Sequence, residues 1–197
     1  MPVVRGIDSS TQSTKVEIRD VETGELVGSG RAPHPSTTPP VSEQDPQTWW
    51  DALRAASAAA GPDDVAATSV AAQQHGLVVT DADGTPLRPA KLWNDTESAP
   101  DAGWLLTQLA DGARGWAQAC GSVPVAAFTI TKLSWLHRRE PDLFRRIERV
   151  VLPHDWLGWK LTGEYATDRG DASGTGYWSP TTGEYRLDLL EIVDRDL

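Results

Sequence analysis

Apolar and polar positions along the opening of the chain predict three successive strands, over 3–8, 14–20 and 25–31, with Thr23-Gly24 as the hairpin turn between the second and third. Residues 32–46 hold five prolines and little periodicity, which predicts an extended loop. Asp45-Pro46 then signals a helix start, with the acid as N-cap and the proline at the first helical position. That helix carries an apolar stripe on Trp49, Trp50, Leu53 and Ala56 and is closed by Gly61-Pro62. Val65 to Gln73 reads as a buried central strand and Leu77 to Thr80 as another, followed by an Asp83-Gly84 turn. A helical insert is expected over 100–119, around Trp104, Leu105, Leu109 and Trp116. A stronger helix over 129–139 has Thr129 as cap and Leu133, Leu136 and His137 on one face. Pro141 opens a short helix, Val150-Val151-Leu152 forms a short strand, a helix follows through Trp156 and Trp159, and Leu187 to Val193 begins a last helix. Hairpins first, then strand–helix alternation, is the pattern of a mixed α/β sheet with flanking helices.

The first turn carries the densest chemistry. Between the first two strands lies Asp8-Ser9-Ser10-Thr11-Gln12-Ser13-Thr14-Lys15, a small hydroxylated segment with a carboxylate at its entry and an ammonium at its exit. Short side chains let backbone N–H groups approach an anion closely. A carboxylate beside such an anion suits Mg²⁺, which takes one or two carboxylates plus phosphate oxygens. An ordinary hairpin with a polar turn is the alternative. Gln74-His75-Gly76 ends a predicted strand, where ligand sites of α/β sheets gather. The other reading of His75 is a ring satisfied by backbone. Trp93-Asn94-Asp95 offers an apolar wall and two polar groups, or an Asx-type turn. Lys132, in mid-helix, is read as a solvated lysine or as a packing and salt-bridge residue. His34, His137 and His154 show no metal-ligand spacing with one another or with Cys120. Asp168 and Asp171, three apart, are read as capping or loop residues, with metal binding as the alternative.

Composition narrows the class. The chain has 197 residues, enough for a domain with a real core, and 39% hydrophobic residues. No run approaches the ~18 apolar residues of a membrane span, and no signal peptide is visible. Cys120 is the single cysteine, which excludes an intrachain disulfide and fits a reducing compartment, so the cytoplasm is expected. A net charge of −10 with dispersed acids disfavours nucleic-acid binding. Nine tryptophans against two phenylalanines point to core filling, except at Trp93.

The opening turn resembles the first phosphate motif of the actin-like ATPase superfamily, an Asp-x-Gly-Thr turn between the first two strands. Further stretches are similar to the FGGY carbohydrate kinases, most of all to the branch that acts on D-xylulose. They are Ser42-Glu43-Gln44-Asp45-Pro46-Gln47-Thr48-Trp49-Trp50, Gln74-His75-Gly76, Leu92-Trp93-Asn94-Asp95, Thr129-Ile130-Thr131-Lys132-Leu133-Ser134-Trp135-Leu136, and Ala166 to Thr175. The resemblance implies a ribonuclease-H-like (actin-like ATPase) lobe: a mixed sheet with flanking helices and a helical insert. It implies ATP and Mg²⁺ as cofactors, with Asp8 orienting the metal and Ser10, Thr11, Gln12 and Lys15 completing the cofactor side. Gln74 and His75 would meet sugar hydroxyls, for which a neutral imidazole offers one donor and one acceptor, and Trp93, Asn94 and Asp95 would complete the sugar side. Three departures stand out: Ser10 where the family usually has glycine, Glu97 where an arginine is expected nearby, and Ala127 and Arg139 in the signature-like stretch.

The same resemblance implies what lies elsewhere. The aspartate that deprotonates the sugar hydroxyl is expected beyond Leu197, together with the second phosphate loop and the adenosine pocket. Residues 1–197 are therefore expected to be an N-terminal lobe, incomplete at its C-terminal end, and inactive when isolated. The expected reaction is ATP-dependent phosphorylation of D-xylulose to D-xylulose 5-phosphate. Another polyol or ketose (ribulose, gluconate, glycerol) and a non-catalytic sugar-binding remnant are the alternatives. Partners would be a sugar and a nucleotide, with no nucleic acid and no membrane, and with room for a homodimer of a full-length parent.

Overall fold

The computed structural model describes residues 2–61 and 63–195. Strands β1 (Val3–Ser9), β2 (Ser13–Asp20) and β3 (Leu26–Pro33) form an antiparallel meander at the predicted places. Asp20 builds its second turn: Oδ1 accepts the N–H groups of Glu22 and Thr23, and Gly24 takes φ 70°. The proline-rich loop is clipped down by two-residue strands, β4 (Glu43–Gln44) pairing with a later segment, Ala90–Lys91. Helix α1 (Pro46–Ala60) starts where Asp45-Pro46 predicted, Asp45 Oδ1 accepting the Gln47 N–H at 2.9 Å. Gly61 is its C-cap; Pro62, its predicted partner in closing the helix, lies outside the described residues.

β5 (Ala67–Ala72) runs parallel to β1, giving the sheet order β3-β2-β1-β5. This corrects the buried central strand expected over 65–73. Among the described residues β5 pairs only with β1, and Ala67, Thr68, Ser69 and Ala71 are exposed. The segment reads as internal from its small residues, whereas which strands lie beside β5 is set by the tertiary fold and not by the local sequence.

β6 (Val78–Thr80) pairs with β8 (Arg149–Val151), and β7 (Ala90–Lys91) is the partner of β4. The predicted insert is two helices, α2 (Ala99–Leu106) and α3 (Ala113–Cys120), broken at residues 107–112. α4 (Thr129–Arg139) has its predicted ends, but Phe128 occupies the N-cap position and Thr129 is the first helical residue, its hydroxyl directed at the Gly76 carbonyl. Leu133 and Leu136 are buried as expected; His137 is exposed, 3.0 Å from Asp194. α5 (Pro141–Phe144), α6 (Pro153–Thr162), α7 (Arg169–Ser173), β9 (Trp178–Ser179), β10 (Glu184–Tyr185) and the four-residue α8 (Leu187–Leu190) complete the chain.

Two cores follow from this layout. α1 and α6 cover one face of the sheet, where Trp49 and Trp156 meet edge to face at 6.3 Å. The second core gathers Leu77, Leu105, Trp116, Ile130, Leu133 and Leu136 around α4. Most tryptophans are internal, but Trp104 joins Trp93 as an exposed exception. No described helix is long and apolar enough to cross a membrane.

Candidate active site

Parallel pairing of β1 with β5 sets Ser9 beside Ala72, and the Gln73 N–H bonds the Ser9 carbonyl at 3.0 Å. The segments that follow these strands, 10–12 and 73–76, therefore emerge side by side at one end of the sheet. A cavity of about 340 Å³ lies between them, lined by Asp8, Ser10, Thr11, Gln73, Gln74, His75 and Trp93. A neighbouring cavity of about 420 Å³ shares Ser10, Thr11 and Trp93 and adds Gln12, Asn94, Ser36 and Thr37.

The turn is braced before any ligand arrives. The Ser10 N–H and hydroxyl both donate to the Ser13 carbonyl at 3.1 Å, Arg31 donates to the Ser13 hydroxyl, and Gln44 donates to the Thr11 carbonyl at 3.0 Å. Ser10 does not take the left-handed backbone conformation, since His75 is the one described non-glycine residue with positive φ. Serine is therefore accommodated where glycine is usual. Asp8 is exposed beside the turn, paired in register with Lys15. The Lys15 ammonium bonds Glu17 at 2.7 Å, and both residues line a third hollow, with Asp8, on the open face of the sheet. A carboxylate left without an ion pair among the described residues, next to the hydroxyls of the turn, fits a Mg²⁺ held partly through water.

His75 is held from several sides. Its φ is 63°, its Nδ1 lies 3.2 Å from the Gly174 carbonyl oxygen, and its ring packs on Phe128 at 5.1 Å. Burial pushes its pKa below the usual range, the nearby Lys132 adds to this, and the Gly174 carbonyl opposes it. The neutral ring, with one donor and one acceptor, is the favoured form. Gln74 is exposed at the same mouth. Gln73, which sequence reasoning passed over, is buried with both amide atoms unpartnered beside the cavity. Its position next to Gln74-His75 at a strand end was the available signal.

Trp93 bridges the two cavities: its Nε1–H donates to the Thr11 hydroxyl at 2.9 Å, and the indole is 48% exposed. Asn94 is half-buried with an unpartnered Oδ1. Asp95 is turned away from both cavities' linings. It is fully buried and accepts from the Ser42 N–H at 2.8 Å, the Glu97 N–H and Lys91. Lys91 lies 3.0 Å from Glu43 and 2.7 Å from Glu97, with Trp135 3.9 Å from its ammonium. The unexpected acid at position 97 thus finds its cation within the same segment.

Of the two readings of Lys132, the structure shows the packing one. It is fully buried, and its ammonium donates to the carbonyls of Ala126, at 2.9 Å, and Ala127. Burial lowers its pKa to about 7, against the attraction of Asp95 and with the repulsion of Lys91. The ammonium ties down the segment that presents Phe128 to His75.

Comparison with known proteins agrees with this layout. The model of the FGGY family of carbohydrate kinases, N-terminal domain, matches residues 3–196. Xylulose kinases of Streptomyces coelicolor and Streptomyces rubiginosus are each 50% identical to this chain over 197 residues, covering 99% of it and 41% of the relative. The crystal structure of xylulose kinase from Bifidobacterium adolescentis superposes with a TM-score of 0.89 at 41% identity, over 98% of this chain and 43% of that one. The chain thus spans about two-fifths of the length of the curated relatives it matches. With a turn-and-strand-end cavity on a mixed sheet and a family match over nearly its whole length, the chain belongs to the FGGY family of carbohydrate kinases, in the N-terminal domain.

Proposed function

We propose that residues 1–197 form the N-terminal lobe of an ATP-dependent kinase that converts D-xylulose to D-xylulose 5-phosphate. The observation that carries this reading is the cavity shared by the Asp8–Thr11 turn and the Gln74-His75 strand end. It sets an anion-binding turn beside a neutral imidazole and amides suited to a polyol. D-Xylulose is the preferred sugar because relatives named xylulose kinase reach 50% identity over the whole chain.

In this reading the sugar's terminal hydroxyl oxygen attacks the γ-phosphorus of ATP, the bond to the β-phosphate oxygen breaks, and ADP leaves. The hydroxyl proton passes to a base outside this chain. Catalysis is then mostly positioning and charge stabilisation. Thr11 and Gln12 would face the phosphates, on a turn that Ser10 braces through its bonds to the Ser13 carbonyl, and Lys15 adds positive charge nearby. Asp8 would hold Mg²⁺, which supplies charge neutralisation on the phosphates. Gln74 and His75 orient the sugar, with Trp93 and Asn94 as wall and polar contact; Asp95 acts from beneath, through the segment it anchors. The cytoplasm is the proposed compartment, in keeping with the free, buried Cys120.

Kinetics of the full-length kinase carrying this lobe test the reading. His75→Ala is expected to weaken D-xylulose binding by about 1–3 kcal/mol, or roughly 5- to 150-fold, with ATP affinity nearly unchanged in calorimetric titration. Asp8→Asn is expected to lower kcat far more than it raises KM for the sugar. Unchanged xylulose affinity in His75→Ala would remove His75 from the sugar site. A pure KM effect in Asp8→Asn would remove its metal role.

A further inference from the structure

Beside the sugar cavity, the first turn of α6 and the start of α7 bring one imidazole into a nest of carboxylates. His154 Nδ1 lies 2.9 Å from Asp155 Oδ1 and 3.8 Å from Asp171 Oδ2, and its Nε2 lies 3.9 Å from Asp168 Oδ2. Donor atoms of His154, Asp168 and Asp171 all come within 4.8 Å of one another. Asp168 Oδ1 is occupied as the cap of α7, accepting the Asp171 N–H at 2.9 Å, and Oδ2 remains on the histidine side.

A second observation points to a missing cation. Asp171 is 7% exposed, and its Oδ1 has no hydrogen-bond partner. A buried oxygen of this kind costs free energy unless a proton or a cation satisfies it. Three carboxylates face one imidazole, and among the described residues no lysine or arginine is paired with any of them. The other convergent acidic cluster of the chain is built differently. Glu43, Asp95 and Glu97 also come together, but Lys91 supplies the cation at 3.0, 3.2 and 2.7 Å. At His154 no lysine or arginine among the described residues plays that part, and the imidazole is the one group there able to carry positive charge.

Donor chemistry narrows the class of ion. A carboxylate on one ring nitrogen fixes the tautomer and frees the other nitrogen as a ligand, the usual outer-sphere support of a metal-bound histidine; here Asp155 holds Nδ1. One imidazole nitrogen with carboxylate oxygens suits Mn²⁺ or Zn²⁺ better than an all-oxygen ion. With metal–ligand bonds of about 2.0–2.2 Å, two ligands of one ion stand up to about 4 Å apart. With Nδ1 held by Asp155 the ion would sit on Nε2, whose 3.9 Å spacing to Asp168 Oδ2 already fits, and a small side-chain rotation brings in Asp171, now 3.8 Å from Nδ1. We propose that His154, Asp168 and Asp171 bind one divalent transition-metal ion, with Asp155 orienting the imidazole. The ion would clamp α7 to α6 and so steady Gly174, whose carbonyl meets His75. The site stands independently of the sugar-kinase reading.

The test uses the 197-residue chain, stripped with a chelator and free of nucleotide. Mn²⁺ is titrated by electron paramagnetic resonance and Zn²⁺ by calorimetry, with circular dichroism as the check on folding. One equivalent of ion is expected to bind, and Asp168→Asn and His154→Gln are each expected to weaken it by at least about 10-fold. Asp168 is mostly exposed, so its variant tests the site without threatening the fold. Absence of binding, or affinity unchanged in both variants, would overturn the proposal. So would a titration abolished by Asp8→Asn alone, which would place the ion at the phosphate turn.

Discussion

A left-handed backbone at a residue with a side chain costs about 1–2 kcal/mol, and His75 meets that cost at φ 63° because its surroundings hold it there. Gly174 is the tightest of them. A Cβ on Gly174 would sit 1.9 Å from His75 Nδ1 and 2.2 Å from Cε1, so any side chain must displace the ring. Gly174→Ala is therefore expected to destabilise the chain by about 1–3 kcal/mol, the range for overpacking, and to weaken sugar binding by the full-length kinase; denaturant titration and calorimetry read the two effects. Lys132 gives a prediction with a sign. Its pKa falls from 10.5 unfolded to about 7 folded, so between those values the unfolded chain holds more protons. The burial penalty is full below pH 7 and is relieved as the pH rises toward 10.5. Stability of the native chain relative to Lys132→Met should thus grow by up to about 1.4 kcal/mol per pH unit above pH 7, measured as paired denaturation curves in which Asp95 and Lys91 are common to both proteins. A difference that stays flat from pH 7 to 9.5 would mean Lys132 titrates normally. Neither effect was legible in the sequence. Gln74-His75 could be singled out at a strand end, but the partners that hold it, Phe128 and Gly174, lie far along the chain. Lys132 stayed open between a solvated and a packing role because its cover, the segment of Ala126 and Ala127, is brought over it by the tertiary fold.

At the scale of elements, local chemistry that acts within a few residues was readable. Asp45-Pro46 started α1, Thr23-Gly24 turned the second hairpin, and the ends of α4 fell where periodicity put them. What escaped were β4 and β7, two residues each, too short to show a period. The break between α2 and α3 also escaped, because the tryptophans and leucines on both sides continue one apolar pattern. Packing of α1 on the sheet depends on a feature with no periodic signal either. Cβ atoms on Gly28 and Gly30 of β3 would lie 1.9 Å from the Ala60 carbonyl oxygen and 2.0 Å from that of Ala56. The small residues let helix and strand backbones approach. Gly30→Ala is expected to push α1 away from the sheet and cost about 1–3 kcal/mol or more, seen as a lower denaturation midpoint with an unchanged slope. A variant as stable as the native chain would show that α1 can shift without loss of packing.

At the scale of the whole molecule, the mixed sheet was anticipated from the hairpins and the strand–helix alternation, whereas the meeting of turn and strand end, like the place of β5, depends on which strands pair. The proposed chemistry bears on the same arrangement. Phosphoryl transfer to a hydroxyl needs a base in reach of that hydroxyl, and such a base contributes about 10²–10⁴ in rate. Among the described residues lining the cavity at His75, Asp8 is the one carboxylate, and it stands beside the phosphate turn rather than beside Gln74 and His75. Asp95 is committed to Lys91 and Ser42, and Asp171 to the cluster at His154. The xylulose kinases that match this chain are more than twice as long, so groups they use can lie in the part it does not span. The 197-residue chain alone is therefore expected to release no ADP above background with D-xylulose and MgATP in a coupled assay. Measurable turnover that Asp8→Asn abolishes would mean that this lobe supplies its own base, and would make Asp8 the first residue to examine for that role.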